Sequence, residues 1–244
     1  MGLENIRRIY IPLPPLPEQT AIATVLSNVD GLIASLTALI AKKRAVKHAT
    51  MQQLLTGKTR LAGFTGAWEV KRLGEVCDIL NNRRQPISSN NREKGEYPYY
   101  GASGIVDYVN DYIFDERLLL VGEDGAKWGS NERTAFIAEG KYWVNNHAHV
   151  LKPTKVNDVL LENYLFMLDM SQYITGAAPP KLTLGKLKSI PIFYPISPLE
   201  QTAIAAILTD MDTDITTLET RLIKTKALKT GMCQELLTGK TRLL

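Results

Sequence analysis

Apolar residues recur at helical spacing in two long stretches of the chain. The first stripe consists of Ile22, Val25, Leu26, Val29, Leu32, Ile33, Leu36, Leu39 and Ile40, and the second of Ile204, Ile207, Leu208, Met211, Ile215, Leu218 and Leu222. Intervals of three and four residues predict amphipathic helices. Pro17 and Pro198 limit each helix upstream, and Gly57 and Gly239 stand where a left-handed C-cap belongs. Each stretch therefore predicts a helix of about 40 residues, or ~60 Å.

The two helical stretches are copies of one another. Residues 18–61 align with residues 200–243 without a gap, at a constant offset of 182, and 22 of the 44 positions are identical. Upstream, Ile6-x-x-Ile9-x-Ile11 resembles Leu187-x-x-Ile190-x-Ile192, so each copy begins with a short strand-like piece. A repeat of this length constrains the architecture more than any local pattern does.

A helix of this length needs a second long helix to cover its apolar stripe. Because one copy enters the intervening segment and the other leaves it, we expect the two copies to be antiparallel neighbours. The stripes are not equal, since Leu32 and Leu39 correspond to Asp214 and Arg221. Further partners for the helices, either a second chain or another protein, are therefore expected.

The segment between the repeats changes to short strand-like runs broken by Gly, Asn and Asp. Its candidate strands are 105–109, 117–121, 134–138 and 147–151, and the spacing of apolar residues predicts a helix over 158–170 that Asn157 or Asp158 can cap. The predicted fold class is α/β (α+β), with one mixed domain of largely antiparallel sheet and two long helices that form an antiparallel coiled coil.

The net charge of +4 comes mainly from the first repeat. Residues 18–61 hold 6 Lys or Arg against 2 Asp or Glu, whereas residues 62–199 hold 15 against 16. Its basic cluster is a candidate for phosphate contact, although a solvated helix face fits the pattern as well. The cluster consists of Lys42, Lys43, Arg44 and Lys47.

Composition excludes several other classes. No secretory signal and no uninterrupted apolar run of membrane-spanning length occurs, so we expect a cytoplasmic protein with no membrane partner. Cys77 and Cys233 have no CxxC spacing, which argues against disulfides and structural zinc.

Signals for catalysis are weak. Gly57-Lys58-Thr59 resembles the end of a phosphate-binding loop, but Gln52 occupies the position of its first glycine. His147 and His149 alternate along a predicted strand, where strand packing fits better than metal binding because further ligands are not evident. The sequence therefore predicts no catalytic residues, no metal site and no bound cofactor.

Recognition chemistry is better represented. Arg, Asn and Gln side chains can read base edges in the DNA major groove, and aromatic rings add contact surface, although turns and partly buried tyrosines explain the same residues. The candidate DNA contacts are Asn81, Asn82, Arg83, Arg84, Tyr99, Tyr100, Ser103, Lys127, Trp128, Asn145, Asn146 and Lys181.

The order of these pieces resembles the DNA-specificity subunit of type I restriction-modification enzymes. The resemblance rests on the proline-rich runs into Glu18-Gln19 and Glu200-Gln201, the Leu-Leu-Thr-Gly-Lys helix endings, and the Gly63-Phe64-x-x-x-Trp68-Glu69 opening. The turn Tyr100-Gly101-x-x-Gly104-Ile105, Asp124-Gly125, the run from Asn145 to Val150, and Gly176 ahead of Pro180-Lys181-Leu182 add to it.

The resemblance implies four segments. Residues 1–17 look like the last strand of a preceding target-recognition domain, 18–61 and 200–244 are the repeated helices, and 62–199 is a target-recognition domain. The family usually has two such domains, so this chain is expected to be part of a longer subunit or a natural half-size form.

The implied function is noncatalytic. Such a subunit reads half of a bipartite site in double-stranded DNA and docks modification (methyltransferase) subunits through its helices; a restriction subunit joins them. S-adenosylmethionine, ATP and Mg would belong to those partners, and a homodimer or a second specificity half would assemble through the long helices. The alternative is a coiled-coil adaptor that binds proteins without DNA specificity.

Overall fold

A computed structural model of the chain describes residues 13–176 and 179–243. The strand expected at Ile6–Ile11 lies outside the described residues. The helices are α1 (Leu16–Leu54), α2 (Leu73–Val76), α3 (Asp158–Met167), α4 (Leu184–Ser189) and α5 (Pro198–Leu236). The strands are β1 (Trp68–Arg72), β2 (Cys77–Ile79), β3 (Lys94–Gly101), β4 (Gly104–Val109), β5 (Phe114–Asp115), β6 (Leu118–Gly122), β7 (Ala135–Ala138), β8 (Lys141–Val144), β9 (Ala148–Pro153) and β10 (Pro191–Pro195).

The chain forms two compact units. The first contains the described residues up to Lys47 together with those from Asp210 onward, and the second is His48–Thr209. Helices α1 and α5 each have 39 residues, as the apolar stripes predict. Gly57 and Gly239, at φ 66° and 72°, take the left-handed conformation expected after each helix.

In the first unit, α1 and α5 are antiparallel, which confirms the prediction from the repeat. Ion pairs cross between them: Lys43 Nζ lies 2.7 Å from Asp214, and Lys229 Nζ lies 2.5 Å from Asp30. Along the pair, the residue numbers of the ion-paired side chains rise on α1 as they fall on α5, which is the pattern of antiparallel helices. The apolar seam includes the buried side chains of Leu36, Ile40 and Ile215.

The ion pairs of the two helices follow the internal repeat of the sequence. Lys47 pairs with Asp212 in the same way that Lys229 pairs with Asp30, and each member of one pair is 182 residues from its counterpart in the other. The Glu18–Arg242 pair of the first unit has its counterpart in the Glu200–Arg60 pair of the second. Swapping the two copies of the repeat therefore leaves these contacts in place.

The second unit is a mixed α/β domain. Its strands form a two-stranded sheet β1-β10, a four-stranded sheet β2-β9-β6-β7 and a four-stranded sheet β4-β3-β8-β5. All pairings are antiparallel except the short one between β3 and β8. The strands expected at 105–109, 117–121, 134–138 and 147–151 correspond to β4, β6, β7 and β9. The expected largely antiparallel pairing is confirmed, and the structure adds that the strands divide into three sheets.

Two apolar clusters hold this domain together. The larger packs α3 and the central strands against the end of α1 and the start of α5, through residues such as Leu55, Leu160 and Leu208. The smaller is built around Phe114 and Tyr142, whose rings stack at 5.5 Å. Helix α3 begins, as expected, at the Asn157 cap, whose side chain accepts the amides of Val159 and Leu160. It ends at Met167, three residues before the expected end.

By length and composition α1 is also apolar enough to cross a membrane, although it contains no uninterrupted apolar run of membrane-spanning length. This evidence is weak, because a helix that packs in a soluble protein passes the same test. In the first unit, α1 faces α5 through the ion pairs of Asp30, Lys43 and Lys47.

Candidate nucleic-acid interface

Four loops of the second unit meet beyond the ends of β6 and β9. The amide of Glu123, after β6, donates to the carbonyl of His147, before β9, at 2.8 Å. The amide of Leu182 donates to the Glu123 carbonyl at 2.8 Å, and Asp124 forms an isolated antiparallel bridge with Lys181. These backbone bonds bring the loops after β6, before β9 and before α4 to one place.

The turn between β3 and β4 joins them through a close backbone approach. A Cβ atom on Gly122 would lie 2.8 Å from the Ala102 carbonyl oxygen and 2.5 Å from the Ala126 Cβ atom. Glycine is therefore required at 122 for this turn to lie against the loop after β6. The amide of Asn145 also donates to the Tyr100 carbonyl at 3.0 Å.

Arg84 lies under these loops, where its guanidinium is already used. It donates to Glu123 at 2.7 Å and to the Ala148 carbonyl at 2.8 Å, with a longer bond to the Asn81 carbonyl. Its side chain is 15% exposed. Arg84 therefore fixes the loops, and the expectation that it reads a base is wrong for this conformation.

Asn81 has a similar internal role. Its Nδ2 donates to His149 Nδ1 at 2.9 Å, and its Oδ1 accepts the Val150 amide at 2.9 Å. Because the asparagine Nδ2 is only a donor, His149 must accept on Nδ1 and donate from Nε2 to the Leu182 carbonyl, at 2.7 Å. Burial lowers the pKa of His149, which favours this neutral ring.

Three further candidates are buried, which corrects their assignment as DNA contacts. Tyr99 is 1% exposed, and its hydroxyl accepts the Ile87 amide. Trp128 is 9% exposed and donates to the Gly122 carbonyl, and Asn145 is 6% exposed and accepts the His147 amide. Each stabilises a loop from inside.

Tyr100 is half-buried and packs against Phe136 and Tyr142, at 5.6 and 5.5 Å between ring centroids. Burial raises the pKa of its hydroxyl. The ring is thus mainly part of the smaller apolar cluster, as the partly buried alternative suggested.

The remaining candidates reach the surface. Asn82, Ser103 and Asn146 are exposed, and the Lys127 side chain is 82% exposed. Lys181 is 41% exposed and lies 3.1 Å from Asp124. Arg83 is exposed but donates to Glu116 at 2.6 Å and lies over the Phe114 ring.

The sequence alone did not identify His147 and Asp124 as part of this surface. His147 Nδ1 lies 2.5 Å from Asp124 Oδ1, and the His147 side chain is 50% exposed. His147 and His149 face different surroundings, so the alternating pair does not form a shared site. Among the described residues, no group of three His, Cys, Asp or Glu side chains can hold a metal ion.

The basic cluster on α1 is paired rather than free. Lys43, Arg44 and Lys47 form ion pairs with Asp214, Glu219 and Asp212. The phosphate-contact assignment is thus not supported for these three, because acidic partners on α5 already neutralise them. Lys42 is exposed, and within the described part of the chain the structure records no ion pair for it.

The chain contains a mixed α/β domain whose polar loops gather on one side, and in the sequence this domain lies between two copies of one helix. This arrangement defines a modular recognition protein. Comparison with known proteins identifies which type. The chain belongs to the family described as the type I restriction modification DNA specificity domain, which matches residues 1–43 and 66–226.

Individual relatives agree with this assignment. The chain is 42% identical over 142 residues to the type I restriction enzyme specificity subunit S.HindORF215P of Haemophilus influenzae, covering 57% of this chain and 36% of the relative. It is 28% identical over 266 residues to the MjaX specificity subunit of Methanocaldococcus jannaschii, covering 98% of this chain and 60% of the relative. The chain thus spans between about a third and two thirds of the length of these relatives.

A solved structure shares the fold. The type I restriction-modification S subunit from M. genitalium superposes with a TM-score of 0.72 at 18% identity, covering 97% of this chain and 65% of that one. At this identity the similarity concerns the fold alone.

Proposed function

We propose that this chain is a noncatalytic DNA-reading subunit of a type I restriction-modification complex. Its second unit would read one half of a bipartite site through the exposed side chains of the four loops. The observation that carries this proposal is the convergence of these side chains on one surface. We call this surface the recognition face: Ser103, Lys127, Asn146, His147 and Lys181.

The chemistry of the recognition face suits DNA. Lys127, whose side chain is 82% exposed, can approach a phosphate, while Ser103 and Asn146 offer donors and acceptors to base edges. Residues 62–199 carry nearly balanced charge, with 15 basic and 16 acidic side chains. A DNA-binding domain with a net charge near zero has little nonspecific electrostatic attraction to DNA. We therefore expect partner subunits to supply much of the phosphate contact.

Those partners would be modification subunits that dock on the helices, with S-adenosylmethionine as their methyl donor, and a restriction subunit that uses ATP and Mg. The complex would act in the cytoplasm. The docking of such partners is supported by exposed apolar side chains on the helices of the first unit, among them Ile223 at 68% and Leu228 at 60%.

A second specificity half would complete the subunit. In the second unit, Leu55 at the end of α1 is fully buried, and a Cβ atom on Gly57 would meet Phe193 and Trp68 at 3.5 and 3.6 Å. These contacts attach the recognition domain to its own helix end.

The repeat-equivalent residues in the first unit are open. Leu237 is 56% exposed, against 0% for Leu55, and a Cβ atom on Gly239 would meet nothing within 4 Å. Glu18 and Arg242 form the same ion pair as Glu200 and Arg60, so the surface has the same contacts, and nothing among residues 13–176 and 179–243 covers it. We propose that a second recognition domain of the same family covers it, supplied by a second copy or by another specificity chain.

The reader role is tested by exchanging the domain. The chain is reconstituted with modification subunits of a type I system, and methylated sites are mapped in a random DNA library. Replacing residues 62–199 with the corresponding domain of a relative should change the half of the methylated sequence that this domain reads, and both halves if a second copy of the chain supplies the second domain. Unchanged target sites after the exchange would refute the reader role.

A further inference from the structure

His147 is the exposed histidine of the recognition face, and its orientation is fixed from two sides. Its backbone amide donates to Asn145 Oδ1 at 2.8 Å, and its Nδ1 lies 2.5 Å from Asp124 Oδ1. Its side chain is 50% exposed, and among the described residues the structure records no partner for Nε2. The ring is therefore held at one nitrogen and open at the other.

Asp124 is itself held in the charged form. Partial burial opposes its ionisation, but hydrogen bonds from His147 and Lys181 outweigh burial and lower the pKa of the carboxyl group. Lys181 Nζ lies 3.1 Å from the second oxygen, Oδ2, so the two carboxylate oxygens have separate partners. An ionised carboxylate only accepts hydrogen bonds, which places the His147 proton on Nδ1.

The tautomer determines what the open nitrogen can recognise. A neutral imidazole that donates from Nδ1 presents a lone pair at Nε2. In the DNA major groove, the matching donors are the exocyclic amino groups of adenine (N6) and cytosine (N4). Guanine offers only acceptors at O6 and N7 and would be rejected.

We propose that His147 is a specificity-determining residue that accepts a hydrogen bond from an exocyclic base amino group through Nε2, with Asp124 and Lys181 as its positioning residues. This inference rests on the proposed reader function and assigns the chemistry of one contact within it. The buried His149 differs, because both of its nitrogens are bonded internally.

The test uses base analogues in the half-site mapped for the chain reconstituted with its modification subunits. Each adenine, apart from the one methylated, is replaced in turn by purine, and each cytosine by pyrimidin-2-one; both analogues lack the amino group. At one position the loss of the amino group should weaken binding of the native complex about three- to tenfold, as expected for one hydrogen bond. The same substitution should have no effect on the complex with His147→Ala.

Two variants separate recognition from folding. His147→Gln keeps an acceptor and should recover part of the amino-group dependence. In Asp124→Asn the amide group can donate to Nδ1, so the proton of His147 is no longer fixed on that nitrogen. This variant should discriminate less against guanine at that position. Its unfolding temperature should stay near that of the native chain. His48→Ala is the matched control, since His48 bonds only Gln52 on its own helix and should leave every analogue effect unchanged.

The outcomes are distinct. Equal losses with the native chain and with His147→Ala at every position would overturn the proposal. Replacing each guanine by 7-deazaguanine, which lacks the N7 acceptor, adds a second check: His147-dependent sensitivity to this analogue alone would make the ring a donor and would also overturn the proposal. If the native complex shows no sequence-dependent binding at all, the reader function fails instead, and this result is seen before any variant is compared.

Discussion

At the scale of single residues, the most constrained charge in the second unit is Glu200. It is 0% exposed, and Arg60 binds both of its oxygens, at 2.6 and 2.7 Å. Arg60 also donates to the Gly66 carbonyl, and its guanidinium lies 5.5 Å from the Trp68 ring centroid. The arginine thus joins the helix repeat to the opening segment of the recognition domain.

We expect Arg60→Ala to lower the free energy of unfolding by roughly 3–5 kcal/mol, because it leaves a buried carboxylate unpaired. Arg242→Ala should cost clearly less. Glu18 is also buried, but the Arg242 side chain is 56% exposed, against 29% for Arg60, and Arg60 in addition contacts the Trp68 ring. Chemical denaturation of both variants measures the difference, and equal losses would contradict the role of the Trp68 contact.

Glu18 gives a prediction for pH. The hydrogen bond from Arg242 lowers the pKa of Glu18 below its ordinary value of 4.5. A lowered pKa means that the pair stabilises the fold fully above 4.5 and loses this contribution as the pH falls through the folded-state value. The unfolding free energies of the native chain and of Glu18→Gln should therefore differ at neutral pH and converge in acid. A constant difference across this range would argue against the ion pair.

Sequence reasoning was least reliable at this scale. It identified polar residues near the recognition face but could not tell Arg84 and Asn81, which bond inward, from Asn146 and Lys127, which point outward. That distinction depends on partners distant in sequence, such as Glu123 and His149. The sequence did not indicate His147 as a candidate DNA contact, because its partner Asp124 is 23 residues away.

At the scale of elements, glycine has opposite effects within and after α1. Gly31 lies in the helix interior with open space around it, whereas Gly57 has a φ of 66°. Gly31→Ala should stabilise the chain by about 0.5–1 kcal/mol, because alanine loses less backbone entropy in a helix. Gly57→Ala should destabilise it by about 1–2 kcal/mol, because an L side chain is strained at positive φ. Thermal unfolding of the two variants, compared with the native chain, should show shifts of opposite sign.

Regular elements were largely predictable, because their cause is local. The apolar stripes and caps gave both long helices, and alternating or fully apolar runs gave β4, β6, β7 and β9. Strand β1 was not predicted, and the strand-like piece expected from Leu187 to Ile192 overlaps β10 only at Pro191 and Ile192, because α4 occupies Leu184–Ser189. Both strands are short, β10 begins and ends with proline, and the two strands pair with each other across more than 100 residues of sequence, so local patterns indicate them poorly.

At the scale of the whole molecule, the internal repeat gave more than any motif. It predicted the antiparallel helices, and the structure adds that identical residues form identical pairs. Lys47–Asp212 and Lys229–Asp30 are related by exchange of the two copies. The three separate sheets of the recognition domain could not be foreseen, because the partition of strands depends on long-range pairing.

Association with a second specificity half can be tested at the end of α5, where Leu237 is exposed. Leu237→Lys places a charge where the equivalent Leu55 is fully buried, and it should abolish association with a second specificity half. Val106→Lys is the matched control, since Val106 is equally exposed, at 56%, but lies on β4 in the second unit. Sedimentation of the reconstituted complex measures the effect; equal masses for the native complex and for both variants would contradict the docking proposal.

The repeated helix ending also has a genetic consequence. Residues 54–61 and 236–243 are identical, so the coding segments before and after the recognition domain encode the same eight residues, and recombination between genes at these two places would keep the helix endings. A crossover that brings in a different domain between them would keep Gly57, Arg60 and Glu200 at the attachment surface. New target sequences could then arise by exchange of a whole gene segment, without a period in which the protein fails to fold.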